Sequence, residues 1–229
     1  MFDKVKLTIE EKVKMYFDTL KSTMNNKDKF NDNSDVYTYV LKEKISDLDD
    51  MYDTRKETRE LSELKGLIRE QKRNLTNSLA LFKDMDEKTC EFLSTGKGMI
   101  LRNGFIMGYE YCIEKRFLDV AKYYLCFLSD NNLVDADYVQ KGIFDIVSLH
   151  ARISILSNSD QRAFAIDFIN RVRDGAFKEA GKEIRLDALI RTYNEEGIDI
   201  KWDGITLKAH PQPELSKRDF SKCKLFRKN

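Results

Sequence analysis

Apolar side chains recur along most of this chain at intervals of three and four residues, the spacing that lines one side of an α-helix. Thr8-Ile9-Glu10-Glu11 is a capping box, and Val13, Phe17 and Leu20 follow it at helical spacing. The polar stretch 25–33 reads as a loop. Tyr37, Leu41, Ile45, Leu48 and Tyr52 form the next stripe. Thr54-Arg55-Lys56-Glu57 is a second capping box, and after it Leu61, Leu64, Ile68, Leu75, Leu79 and Phe82 continue the pattern. The simplest packing of 34–82 is an antiparallel helical hairpin, and its rival is one continuous helix of about 70 Å.

A short helix is expected over 84–93, ended by Gly96 and Gly98. This glycine-bearing stretch is the expected boundary between two halves. Residues 99–107 are ambiguous: Asn103-Gly104 between apolar runs signals a β-hairpin, whereas the pattern over 109–128 is helical. Phe117, Ala121, Tyr124, Leu125 and Leu128 make one further stripe, and Val139, Ile143, Ile146, Val147, His150 and Ile153 another. Ser159-Asp160 caps a helix carrying Phe164, Phe168 and Val172, with Gly175 as its stop; a last helix runs over 181–194 with Gly197 at its end.

Beyond Gly197 the period changes from helical to alternating. Ile198, Ile200 and Trp202 alternate with Asp199 and Lys201, and Asp203-Gly204 precedes Ile205 and Leu207, which predicts a β-hairpin. Pro211 and Pro213 end regular structure. The expected fold is therefore mainly α, a multi-helix bundle or helical-hairpin stack with a small C-terminal β-hairpin. It divides into an N-terminal helical region (1–95), a C-terminal helical domain (96–210) and a basic tail (211–229).

Composition supports this reading. Two prolines among 229 residues favour long helices. A net charge of +1 provides no global field for nucleic acid or an acidic membrane, so any electrostatic site is local. Cys90, Cys112, Cys126 and Cys223 form no C-x-x-C pair, which fits free thiols in a reducing compartment. The first residues lack the apolar segment of a signal peptide, and the apolar run near 123–128 is far too short to span a membrane. The expected setting is the cytoplasm, whether the chain is cellular or viral.

The clearest local asymmetry is the tail, where Lys217, Arg218, Lys222, Lys224, Arg227 and Lys228 face one acid, Asp219. Such cations contact phosphates or an acidic partner, unless the tail is only solvated. Phe220 and Phe226, interleaved with it, and Trp202 on the predicted strand are candidate partner-binding aromatics. Tyr16, Tyr37, Tyr39, Tyr123 and Tyr124 are amphipathic side chains of the kind interfaces favour, with core-edge packing as their plainer role. Arg162, Arg171 and Arg173 are interspersed with Asp160, Asp167 and Asp174, a pattern of i,i+4 ion pairs on a wet face.

Catalytic signals are thin. His150 and His210 are far apart, and His150 on an apolar face reads as a packed, hydrogen-bonded core residue. Glu110 and Glu114, one helical turn apart, share a face. Asp199-Ile200-Lys201 resembles the acid-x-Lys element of PD-(D/E)xK metal-dependent nucleases. That family also needs an earlier acid on a neighbouring strand, and the segment before, which holds Asp187, reads as helical. No phosphate loop and no metal-ligand spacing occurs, and no metal or cofactor is expected. Residues 117–149 followed by 160–177 resemble the helical-repeat domains of translation-initiation scaffolds. The shared features are a helix, Asn-Asn-Leu, a "Val-Gln-Lys-Gly-Ile" turn into the next helix, and "Phe-Ile-Asn-Arg-Val". Any stacked helical pair carries such features, and no function is transferred on them. The leading expectation is a non-enzymatic adaptor- or inhibitor-like protein that binds a protein partner. Nucleic-acid binding through the tail is the alternative and a metal-dependent nuclease the remote one.

Overall fold

The computed structural model describes residues 6–25, 54–83, 85–153, 158–202 and 207–209. Over these residues the protein is all-α, with helices α1 (Ile9–Asn25), α2 (Thr54–Ala80), α3 (Glu87–Leu93), α4 (Gly96–Glu114), α5 (Leu118–Asp130), α6 (Ala136–Ala151), α7 (Asn158–Arg173), α8 (Lys178–Lys182) and α9 (Leu186–Glu195). Two three-residue strands, β1 (Ile200–Trp202) and β2 (Leu207–Ala209), follow. The first arm of the expected 34–82 hairpin falls outside the described residues, as does the loop before it.

Local chemistry starts the helices where capping residues are available. The Thr8 amide donates to Glu11 Oε2 at 2.8 Å while the Glu11 amide donates to Thr8 Oγ1 at 3.2 Å, a closed capping box. Asp86 and Asp135 cap α3 and α6 by accepting the amides of Thr89 and Tyr138. Two expectations are corrected here. Gly96 and Gly98 open α4 instead of ending α3, because Thr95 Oγ1 accepts the Gly98 amide as N-cap. Asn103-Gly104 makes no turn and lies inside α4.

Packing explains why the glycine pattern of α4 favours a helix. A Cβ on Gly104 would lie 2.7 Å from the Phe17 ring, and one on Gly108 would lie 2.5 Å from Tyr124 Cε1. Bare backbone at these positions lets α1 and α5 approach closely. The approach is pinned by tyrosine hydroxyls donating to helix carbonyls, each of which has a spare lone pair. Tyr16 Oη reaches Gly104 O at 2.8 Å, Tyr111 Oη reaches Thr23 O at 3.2 Å, and Tyr124 Oη reaches Leu75 O on α2 at 3.4 Å. Tyr16 and Tyr124 are thus core residues and not surface aromatics. Phe82, Tyr16, Phe105 and Phe127 make a continuous run of ring contacts with centroids 6.1, 4.8 and 4.7 Å apart. This run crosses residue 96, so helices on both sides of it share one core.

The C-terminal helices close over α6. Phe168, Phe177, Leu189 and Tyr193 are fully buried there. The expected helix over 181–194 is broken: α8 is a single short turn, Arg185 is extended, and α9 restarts at Leu186. Phe177 and Ile184 on one side of the break and Leu189 and Tyr193 on the other are all buried. Gly175 and Gly197, at φ +83° and +84°, stop α7 and α9 as their sequence positions predict.

Strands β1 and β2 pair antiparallel, with Ile200 opposite Ala209 and Trp202 opposite Leu207. That register leaves four residues between the paired ends, whereas a two-residue Asp203-Gly204 turn would set Trp202 against Ile205. The intervening 203–206 lie outside the described residues. Asn194 ties β1 to α9 by accepting the Ile200 amide at 2.7 Å and donating to its carbonyl at 3.2 Å.

Candidate interaction surface

Helix α4 is apolar on more sides than the core covers. It buries Leu101, Phe105, Tyr109 and Cys112, yet Met99, Ile100 and Met107 remain 56%, 62% and 45% exposed. Ile100, Met107 and Glu114 are seven residues apart, and Glu110 is one turn from Met107, so they line one side of the helix. A helix that is apolar beyond its buried side has a face available for another surface.

This face runs into a groove between α4 and α6. Tyr109, Glu110, Ile113 and Glu114 line one wall, and Tyr138, Lys141, Gly142 and Asp145 line the other. The cavity holds about 240 Å³. Tyr109 Oη closes its floor by donating to Gly142 O at 3.4 Å, and its ring meets Tyr138 edge-on at 6.0 Å. Burial, with Glu110 and Asp145 adding negative charge, pushes the Tyr138 hydroxyl up to about 12, so it stays a neutral donor. Phe144, one turn from Lys141, is exposed at the α6 edge. The arrangement offers an aliphatic stripe followed by a groove with three carboxylates, a phenol and one ammonium, that of Lys141. The spacing of Glu110 and Glu114 signals their shared face; Asp145 and Tyr138 join them only through the packing of α6 on α4.

The other candidates fall as follows. Lys217, Arg218, Phe220, Lys222, Lys224, Phe226, Arg227 and Lys228 lie outside the described residues. Trp202 falls in β1 opposite Leu207. Arg171 pairs with Asp167 at 3.0 Å, the i,i+4 spacing expected of that helix, whereas Arg173 pairs with its sequence neighbour Asp174 at 2.8 Å. Lys122, only 8% exposed, also reaches Asp167 at 2.8 Å. Burial pushes the Asp167 carboxyl up, but the hydrogen bonds from Lys122 and Arg171 outweigh it and hold the group below its ordinary range. Tyr123, exposed beside them, has the Lys122 ammonium 5.3 Å and the Arg171 guanidinium 5.7 Å from its ring centre.

His150 is packed as expected but not hydrogen-bonded as expected: among the described residues both ring nitrogens lack partners, and aromatic rings pack against it. The nuclease arrangement is not assembled among the described residues. Asp199 precedes β1 of a two-stranded sheet, and Asp187, the earlier acid considered, lies on α9 in a 2.7 Å pair with Arg185. Also among the described residues, no three His, Cys, Asp or Glu side chains converge as a metal site. Burial raises the thiols of Cys112 and Cys126, the latter to about 12, which leaves both protonated and unreactive. No helix among these residues is long and apolar enough to cross a membrane.

Comparison with known protein families, with curated proteins and with solved structures finds no match for this chain. The resemblance to translation-initiation scaffolds therefore has no relative behind it.

Proposed function

We propose that this chain is a non-catalytic helical interaction protein, adaptor- or inhibitor-like, that binds a protein partner along α4 and the α4–α6 groove. The observation that carries the reading is the exposed stripe Met99, Ile100 and Met107 leading into Glu110, Glu114 and Asp145. Its complement is an amphipathic segment with aliphatic residues at helical spacing, followed by Lys or Arg. The unreactive Cys112 and Cys126 and the unpaired Cys90 support a reducing, cytoplasmic setting.

The test is copurification from lysate with and without nuclease, followed by mass spectrometry, using wild type and Ile100→Glu. Wild type should recover a stoichiometric protein partner that resists nuclease. Ile100→Glu, folded by circular dichroism, should lose it by at least about tenfold, the scale of an interface hot spot. No partner, or one held equally by the variant, refutes the reading.

The six tail cations against one acid favour a second reading, nucleic-acid binding. It predicts affinity that falls with salt and is lost when residues 214–229 are deleted. Binding that survives the deletion refutes it.

A further inference from the structure

His150 lies in the last turn of α6 and is 2% exposed. Its imidazole stacks on Phe164 of α7 with centroids 4.0 Å apart and planes at 18°, and it meets Tyr193 of α9 edge-on at 5.8 Å. Among the described residues, neither ring nitrogen has a hydrogen-bond partner, and neither does the fully buried Tyr193 hydroxyl. As neutral imidazole the ring serves as aromatic filler. As imidazolium it would carry two donors and a full charge into a pocket that offers no paired acceptor.

The charged groups around it do not help. Lys122, from α5, holds its ammonium 5.2 Å from the centre of the same Phe164 ring. Asp167 of α7 is the acid on that side, and it is already shared between Lys122 and Arg171. From α9 comes Tyr193, and beyond the helix ends Arg152 pairs with Glu196 at 3.2 Å. A helix C-terminus by itself favours a cation. Here burial first, then the Lys122 charge, outweighs that preference and pushes His150 down to about 4.

We infer that His150 is an acid-sensitive latch, whose protonation releases α7 and α9 from the end of α6. The released state takes up the proton at the ordinary histidine value of 6.5, the packed state only near 4. The packed state is thus fully favoured above pH 6.5, and the advantage drains away as pH falls from 6.5 to about 4. Across that window the equilibrium shifts toward release by about 300-fold, from about 2.5 pH units of difference.

Hydrogen–deuterium exchange of α7 and α9 peptides between pH 7.5 and 4, corrected for intrinsic rates and referenced to α4, reads this equilibrium. Wild type should lose protection in α7 and α9 by most of that factor, with α4 held. His150→Phe, which keeps a stacking ring but cannot titrate, should remove most of the pH dependence. His150→Gln, also non-titrating, should do the same and serves where the Phe variant fails to fold. The chain has two histidines, so the His150 proton resonance is readily assigned in the intact protein, and it should titrate near pH 4. Equal acid loss of protection in wild type and a folded variant, or titration of folded His150 near 6.5, overturns the inference.

Discussion

The same substitution should act in opposite directions at two glycines of this chain. Gly66 lies in the interior of α2, exposed, and a Cβ there meets nothing within 4 Å. Gly66→Ala therefore keeps only the propensity gain of alanine over glycine, about 0.5–1 kcal/mol. Gly108 lies in α4, where the added carbon would sit 2.5 Å from Tyr124 Cε1 and 2.8 Å from the Tyr16 hydroxyl. Neither ring is free to swing aside. Tyr124 is fully buried and bound to Leu75 O, and Tyr16 is fully buried and bound to Gly104 O. Relieving the contact means moving α1 and α5 away from α4 by most of an ångström. Such overpacking costs about 1–3 kcal/mol, and two pinned rings put this site at the upper end. Subtracting the propensity gain leaves Gly108→Ala less stable by about 2 kcal/mol. For a chain of this length, that lowers the melting temperature by about 4–8 °C, against a rise of about 1–4 °C for Gly66→Ala. Urea and thermal unfolding followed at 222 nm measure both. The steric argument fails if Gly108→Ala matches wild type, or if the two variants are destabilised alike.

Further outcomes follow from single contacts. Thr8→Ala opens the capping box and should cost about 1 kcal/mol in urea unfolding, with fraying confined to α1 by hydrogen exchange. Ile100→Lys, at a 62% exposed helix position, should leave stability within about 0.5 kcal/mol of wild type; a larger loss would mean that this side chain is covered by another part of the chain. Asp167 has its pKa depressed in the fold, so its pairs stabilise above the ordinary carboxylate value of 3.8 and fade as pH falls through the folded value. The stability gap between wild type and Asp167→Asn should accordingly narrow between pH 6 and 3, and a constant gap counts against the pairing. Under native conditions iodoacetamide should modify exposed Cys90 well before Cys112, which peptide mapping resolves.

The helical period made most of the fold legible, because a buried stripe and a capping residue are local facts. Thr8, Gly175 and Gly197 act where their sequence positions place them. The misread elements are those where a tertiary demand overrides a local signal. Asn-Gly at 103–104 has the composition of a turn, but Gly104 is needed for the Phe17 ring of α1, a residue far away in sequence. Nothing near position 104 announces that ring. The break between α8 and α9 is similar. No proline or glycine sits at Arg185 itself, yet the chain is extended there and both Ile184 before it and Leu189 after it are buried.

The candidate surface shows the same division between local and distant information. Glu110 and Glu114 are visible as a pair, since one helical turn separates them. The exposed stripe is not, because an amphipathic pattern cannot tell an apolar residue that faces the core from one that faces outward on a helix apolar all round. Phe105 and Met107 look equivalent in the sequence, yet one is fully buried against Tyr16 and Phe82 and the other is 45% exposed. What separates them is how many sides of α4 the rest of the chain can cover. α1 and α5 occupy the glycine side and α6 reaches the Tyr109 edge, which leaves Ile100 and Met107 with no helix above them among the described residues. The apolar surplus of α4 is therefore a property of the assembled bundle, and it is on this surplus, more than on any single residue type, that the proposed partner-binding role rests.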